Sequence, residues 1–470
     1  MDDKLKVNNL KITLSDGAQW NPELVKEEGE LGGANGTKGS RYIALNNLNL
    51  NNGIVNIDVA KTQEQAIQVE NLGGTGGTVN FTVDKTGGAL KTGTFQVFAG
   101  AEATQVSTNY TGINADDIGT KEKFKGLVQE SLKIGENSKA TFTAHIEEGL
   151  LTPAMTGVTT NNINGNTIEL QDIQQGKSTT TMDAMRDIAS TAIIAWRQED
   201  STLSQRLGEL RNSEGDQGVW VRMSRGEFEY SGAYKNQYNY FQMGYDKAYG
   251  DWHYGAAISH NDGQTAYANG KGDNRSTSLS LYGTWLGASG QYADIVLKQG
   301  RLSNEFEIHT AAGDTRGDYD AWGTSLSGEY GVKMDMSDGW YVTPQAQLTF
   351  MRIGGEDYTT SNNIRVSQDT LYSTVGRVGF ELGKNITDKG SVYAKASLLH
   401  EFAGDADTYL RLGDLHNSYS QDIGNTWYEA GLGFNYKTGA DSYVYADVVK
   451  TFGDDIKTPW QWNVGMRWSF

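Results

Sequence analysis

Cysteine is absent from the 470 residues, so the chain can hold neither a disulfide nor a thiolate-bound metal. That absence suits a polypeptide that crosses an oxidising compartment unfolded. Proline occurs four times, against 58 glycines, 24 tyrosines and 11 tryptophans. Basic residues are in deficit: 40 Lys and Arg against 58 Asp and Glu give a net charge of −18, which argues against nucleic-acid partners held through phosphate. No apolar run approaches the length of a membrane helix, and mean hydropathy is −0.54. A membrane barrel escapes that test, because only every second residue of its strands is apolar. Met1-Asp2-Asp3-Lys4 leads into polar sequence rather than the apolar core of an export signal, so an exported chain would be a fragment or carry a misplaced start. What remains is glycine-rich, aromatic-rich and alternating in polarity, the composition of β architecture.

Residues 1–150 read as short strands between Gly/Asn turns. Val55, Ile57 and Val59 alternate with polar neighbours, as do Val79, Phe81 and Val83, and Phe95 with Val97. Turns fall at Asn51-Asn52-Gly53, Gly73–Gly77 and Gly87-Gly88. No helix is expected to interrupt them, which fits a stacked β-solenoid or a sandwich. Gly73–Gly77 has neither a following helix nor a Lys-Ser/Thr pair, so it does not read as a phosphate loop. Residues 151–178 are polar and read as an irregular connector.

Residues 179–213 read as one amphipathic helix, with Met182, Met185, Ile188, Ala189, Ala192, Ile193 and Trp196 at three- and four-residue steps and Leu203, Leu207 and Leu210 continuing the stripe. From 214 to 470 the chain is a strand array. Twelve strands are expected, at 218–228, 236–249, 252–264, 274–286, 290–303, 319–335, 340–353, 370–384, 391–403, 424–437, 441–452 and 461–470. In one of them Tyr428, Ala430, Leu432, Phe434 and Tyr436 oppose Trp427, Glu429, Gly431, Gly433 and Asn435. Short connections alternate with long polar ones, expected at 261–273, 304–318, 354–369 and 404–423. A membrane barrel segregates its loops in this way. The last ten residues carry the same pattern: Trp462, Val464, Met466, Trp468 and Phe470 on one face, and Gln461, Asn463, Gly465, Arg467 and Ser469 on the other. So apolar a terminal strand invites aggregation unless lipid covers it and a first strand pairs with it.

Signals for enzyme chemistry are thin. His400-Glu401-Phe402 opens like a zinc-protease motif but lacks the second histidine, and the six histidines are scattered. No Gly-x-Ser-x-Gly occurs, and no nucleophile-and-base set, metal site or cofactor site is assembled. Asp405/Asp407 and Asp454/Asp455 read as solvated loop charge. Arg316-Gly317-Asp318, in an expected outer loop, has the form of an adhesive tripeptide. Inside a lumen, Arg206 and Arg211 of the helix would find partners among Glu329, Glu401 and Glu429.

Over roughly the last 290 residues the chain resembles the autotransporter family of type Va secretion. Glu199–Arg211 (EDSTLSQRLGELR) is similar to the family's pore-helix motif, with Leu203, Arg206, Leu207, Gly208, Glu209, Leu210 and Arg211, followed by the strand opening Gly218-Val219-Trp220. His400-Glu401-Phe402 resembles a recurrent family tripeptide. Trp462, Val464, Gly465, Met466, Trp468 and Phe470 resemble the terminal signal read by the barrel-assembly machinery. Residues 68–98 are similar to the end of pertactin-like β-helical passengers. The resemblance implies an all-β fold: a 12-stranded antiparallel transmembrane β-barrel with one α-helix in its lumen, preceded by a β-solenoid-like passenger segment. It also implies outer-membrane lipid, assembly machinery and periplasmic chaperones as partners, a passenger at the cell surface, and a host-surface ligand for an adhesive passenger. Some members cleave themselves at an Asn-Asn pair in the helix. Ser201-Thr202 stand there in this chain, and neither forms the succinimide-type ring, so no self-cleavage by that route is expected. The alternatives are a free-standing porin-like barrel with a periplasmic N-terminal domain, and a barrel-type surface enzyme.

Overall fold

The computed structural model describes residues 10–22, 43–59, 66–100, 104–161, 168–212, 215–230, 232–453 and 455–470, so Met1–Lys4 and Asp454 lie outside the described residues. The chain divides into two compact units, Met1–Thr180 and Thr181–Phe470.

The first unit is a stack of parallel rungs. Ile43–Asp58 pairs in parallel with Ala66–Thr82, placing Leu45 beside Val69, Leu48 beside Leu72, and Ile57 beside Phe81. Ala66–Thr82 pairs in parallel with Thr94–Gly100 and with Gln105–Thr111, and these with Leu132–Ser138 and Thr141–Ile146. Stacking repeats like upon like. Asn56, Asn80 and Asn109 occupy successive rungs, joined by hydrogen bonds between their side-chain amides: Asn80 donates to Asn56 at 2.8 Å and Asn109 to Asn80 at 3.1 Å. Inside, Val55, Ile57, Val79, Phe81, Val97, Tyr110 and Phe142 are buried, with Phe81 and Tyr110 stacked at 5.6 Å. Each such side chain contributes roughly 1.5–3 kcal/mol by leaving water. Of the two expected architectures, the solenoid is the one observed.

Two expectations for this region need correction. Helices do interrupt the strands, at Ala115–Ile118 and Lys121–Ser131. Thr120 caps the second by accepting from the Lys123 N–H, and Phe124, Leu127 and Val128 bury its apolar face. Glycine and lysine between the apolar residues dilute that stripe in the sequence. Part of the polar stretch 151–178 is also not irregular. Met155–Asn161 and Ile168–Gln175 form an antiparallel hairpin laid against Thr141–Ile146, which ends the parallel stack. One carboxylate organises the approach to it. Asp116 accepts backbone N–H bonds from Leu150 (2.6 Å), Leu151 (3.1 Å) and Thr152 (2.7 Å). Gly149 leaves the room, since a Cβ there would stand 2.2–2.5 Å from that carboxylate. Replacing Asp116 by Ala strands these donors. We expect a loss of about 2–3 kcal/mol in the urea unfolding of the solenoid, followed by far-ultraviolet circular dichroism of the whole chain. An unmoved midpoint would remove Asp116 from this role.

The second unit is a closed barrel. Its twelve strands, numbered 1–12 in chain order, are Gln217–Tyr230, Tyr234–Tyr249, Trp252–Tyr267, Gly270–Leu286, Gln291–Thr310, Gly313–Val332, Trp340–Ile353, Leu371–Thr387, Gly390–Glu401, Thr426–Lys437, Ser442–Phe452 and Ile456–Ser469. Each pairs antiparallel with its neighbours, and strand 12 pairs with strand 1 (Met466 opposite Val221, Arg467 opposite Trp220), which removes the edge. The outward face carries Met223, Ile258, Leu281, Ile295, Phe350, Leu432 and Val448, each more than half or nearly half exposed. A continuous apolar belt of this kind is stable against lipid and not against water. Tyr428 and Tyr436 mark the two margins of the belt on strand 10, eight residues or about 26 Å of strand apart. Trp427, Glu429 and Asn435 of the same strand point into the lumen and are buried.

Short turns gather at one end, as expected. At the other end the expected long loops are in fact more β-structure. Strands 3 and 4 run through 261–273 to a turn at Ala268-Asn269, and strands 5 and 6 run through 304–318 to Ala311-Ala312. Residues 354–369 and 404–423 form two hairpins of their own. The apolar stripe stops where the lipid stops, while the hydrogen-bonded ladder continues, so polarity marks the membrane margin and not the strand end. Arg316-Gly317-Asp318 accordingly lies within strand 6. Arg316 is bonded to Glu307 at 2.5–2.7 Å and Gly317 lies opposite Phe306, so the tripeptide is not a loop.

The plugged lumen and its closing seam

The helix Thr180–Gln198 is buried on nearly every side, including Ser190 and Thr191 on its polar flank. A helix on a sheet surface exposes one face, whereas one inside a barrel exposes none. Ser190 shares a 3.0 Å hydrogen bond with the Tyr234 hydroxyl, and Tyr267 donates to Thr191 at 3.1 Å. Trp196 is fully buried, with the Lys298 ammonium 3.8 Å above its ring. Gly323 makes the approach possible, because a Cβ there would fall 2.9 Å from the indole.

The helix does not continue unbroken to Arg211 as the periodicity suggests. It ends at Gln198, resumes over Leu203–Leu207, and closes in a 3₁₀ turn at Leu210–Asn212. Thr202 is the reason. It caps the second segment reciprocally with Gln205, a capping box that competes with helix continuation. The walls hold the break open: Gln347 donates to the Ser201 carbonyl at 3.1 Å, and Thr349 to Asp200 at 2.7 Å. Leu203, Leu207 and Leu210 then pack on Trp220, Ala257, Tyr282 and Tyr292. Gly208, at φ 62°, turns the chain beneath the Tyr445 ring.

Charges in the lumen find partners other than those expected. Arg206 reaches both oxygens of Asp294 at 2.6 Å and lies 4.2 Å over the Tyr282 ring. Arg211 donates to the carbonyls of Gly290 (2.8 Å) and Gln291 (3.0 Å), and Glu209 binds Lys333 at 2.6 Å. Glu329 accepts the backbone N–H of Leu203 at 2.9 Å instead of a guanidinium. Glu401 does meet the helix, but through Arg197 at 3.4 Å, and Glu429 binds Arg377 of strand 8 at 2.8 Å. Glu199 meets Lys298 at 3.1 Å and also accepts from Ser276. Asp294, Lys298, Lys333 and Arg377 were not singled out. Lys333 follows the end of strand 6, while Asp294, Lys298 and Arg377 sit at lumen-facing phases of their strands, which alternation reveals. Which helix charge stands at the same height depends on barrel stagger, which it does not. With the helix in place, two cavities along the lumen measure about 60 and about 40 Å³.

The terminal strand is placed as expected, with Val464, Trp468 and Phe470 exposed outward and Trp462 and Met466 partly so. Gly465 points inward beneath Tyr445, whose ring leaves no room for a Cβ. The residue missed here is Arg467. Its guanidinium makes paired 2.6 Å bonds to Asp246 of strand 2, both side chains fully buried. The pair spans strand 1 at Gly218, where a Cβ would collide with the guanidinium. Asp246 also accepts from Tyr282 (2.8 Å), which accepts from the Trp220 indole (2.6 Å). The same wall grips the short helix: Tyr443 donates to the Leu207 carbonyl at 2.7 Å, Asn463 to that of Gln205 at 2.8 Å, and Tyr445 to that of Arg206.

Breaking such a pair leaves a buried charge alone, at a cost of about 3–5 kcal/mol. Arg467→Gln and Asp246→Asn should each lower the temperature at which the folded band is lost on semi-native gels. The double variant should lose less than the sum of the two. Strict additivity would show that the two charges act independently.

Comparison with known proteins agrees with this geometry. The model of the autotransporter β-domain matches residues 219–449. The pertactin autotransporter of Bordetella parapertussis is 32% identical over 293 residues, 59% of this chain and 31% of the relative. The BrkA autotransporter of Bordetella pertussis is 28% identical over 298 residues, 60% of this chain and 29% of the relative. This chain thus spans about a third of the length of the curated relatives it matches. The translocator domain of NalP from Neisseria meningitidis aligns over 61% of this chain and 99% of its own, at 16% identity and a TM-score of 0.50, a likeness of fold.

Proposed function

The chain belongs to the autotransporter family, and on that premise we propose that it anchors its own N-terminal passenger at the cell surface after exporting it. The barrel lies in the outer membrane. The observation that carries the reading is the polarity of the lumen helix. Thr181, at its start, approaches Thr310 at the end where the strands run long, and Arg211, at the far end, is held at the short turn Gly290-Gln291. In an outer-membrane barrel the short turns are periplasmic. The chain preceding the helix therefore emerges outside, and the solenoid belongs to the passenger. Leu203, Arg206, Leu207, Gly208, Glu209, Leu210 and Arg211 act as the segment that seats the helix. Trp462, Val464, Gly465, Met466, Trp468 and Phe470 act as the signal to the barrel-assembly machinery, with periplasmic chaperones escorting the unfolded chain. An adhesive task for the passenger, toward a host-surface ligand, rests on family analogy.

Protease shaving of intact cells making the chain behind a secretory signal tests the topology. An antibody against residues 1–150 should lose its target while a barrel-sized fragment survives in the membrane. Protection of residues 1–150 until the outer membrane is permeabilised would make that unit periplasmic and favour a porin-like barrel.

Thr202 is held in a capping box and Ser201 lacks the amide nucleophile, so the link between passenger and barrel stays intact in the absence of other proteases. Mass spectrometry of outer membranes from a strain lacking surface proteases should find the uncut chain. A fragment beginning at Thr202 would contradict this.

A further inference from the structure

We propose that the sheet built by the hairpins of residues 354–369 and 404–423 is a binding site for a phosphate- or sulfate-bearing saccharide. Its four strands, Glu356–Thr359, Arg365–Gln368, Asp405–Leu412 and Leu415–Asp422, pair in that order. One face is structural: Val366 and Leu410 are buried, and Tyr358 stacks on Tyr319 at 4.9 Å. The other face is open and lines a groove of about 750 Å³. Register places Arg365 directly opposite Arg411, and Arg411 directly opposite His416.

Like charges facing each other across strands destabilise a sheet. This protein relieves that elsewhere on its outer β-structure: Arg316 binds Glu307, Arg301 binds Asp320, and Arg275 lies among Asp262, Asp273 and Glu305. Arg365 and Arg411 have no such relief. Arg411 donates to the Gly413 carbonyl at 3.1 Å, and among the described residues neither guanidinium forms an ion pair, although Asp357 lines the same groove. The two guanidinium groups stand in one row on a face that also carries Asp357, Asp405, Asp407 and Asp422, so they form a small basic row within an acidic surface. Planar forks match phosphate and sulfate oxygens in pairs. Beside them Tyr409, half exposed, offers a ring face, and Ser367 and Ser418 flank it with hydroxyls. The groove has the volume of a multi-ring ligand site, too large for a lone anion. The −18 balance disfavours a long polyphosphate running beyond the groove. The location, on the long-hairpin end, rests on the topology proposed above, while the binding chemistry does not. Two sources supply such a ligand there: the phosphorylated sugars of the outer leaflet's own glycolipid, and sulfated glycans of another cell.

The test is calorimetric titration of the full chain in detergent micelles. The probes are a deacylated phosphorylated core oligosaccharide, a sulfated heparin tetrasaccharide and neutral maltotetraose. Binding of the first alone assigns the cell's own glycolipid, of the second alone another cell's glycan, and of both an anionic saccharide of either source. In each case Arg365→Ala/Arg411→Ala should weaken binding by about tenfold or more. Arg365→Lys/Arg411→Lys should fall between, because charge is kept and the fork is lost. Both variants should keep the wild-type melting of the folded band on gels. Equal binding of maltotetraose, undiminished binding by the alanine variant, or no saccharide bound by the folded wild type would each overturn the site. None of these outcomes bears on the shaving result.

Discussion

A charge inside a twelve-stranded barrel has almost no water to turn to, and the rest of this molecule depends on that constraint. The helix fills the space, and the cavities beside it are too small for more than a few waters. Every charge on the helix and on the inner wall must then be answered by a partner at the right height. Arg206 with Asp294, Arg197 with Glu401 and Glu209 with Lys333 are three such answers along the length of the threaded segment. None would stand alone in this environment. Each is satisfied only when barrel and helix are both in place, which couples the seating of the helix to the closure of the wall.

The seam between the first and last strands obeys the same rule. Main-chain pairing alone would tolerate a slip along the strands. The Arg467–Asp246 pair reaches over Gly218 and tolerates none, since a slip by two residues would separate two buried charges. Tyr443 and Asn463, on the last two strands, also hold carbonyls of the short helix. One wall therefore fixes both where the barrel closes and where the plug rests. The break at Glu199–Thr202 lets the plug bend toward that wall.

How much of this was legible in the sequence depends on the physical quantity concerned. Period-two alternation is a one-dimensional signal, so the outward Tyr428 and inward Trp427, the lipid face of Trp468, and the twelve strands could all be read directly. The solenoid's inward Val79 and Phe81 were equally plain. Partnership in the lumen is three-dimensional: Arg206 and Asp294 are 88 residues apart, and only the stagger of the wall brings them level. Thr202–Gln205 was a readable cap that a longer apolar stripe outvoted. The helix at Lys121–Ser131 has one apolar face diluted by glycine and lysine, and the outer hairpins bury a short apolar face, Val366 and Leu410 among it, interleaved with polar residues. Both were missed because a short apolar face broken by polar residues gives too weak a periodic signal to read in one dimension.

The measurement closest to the central claim is conductance of the purified chain in a planar bilayer. A lumen filled by a helix that the wall holds by charge should leave the intact protein without a steady open state. A variant lacking residues 180–212 should open a stable aqueous pore. A steady pore from the intact chain, as large as that of the shortened one, would mean that the helix does not occupy the lumen, and the account built on it would fail.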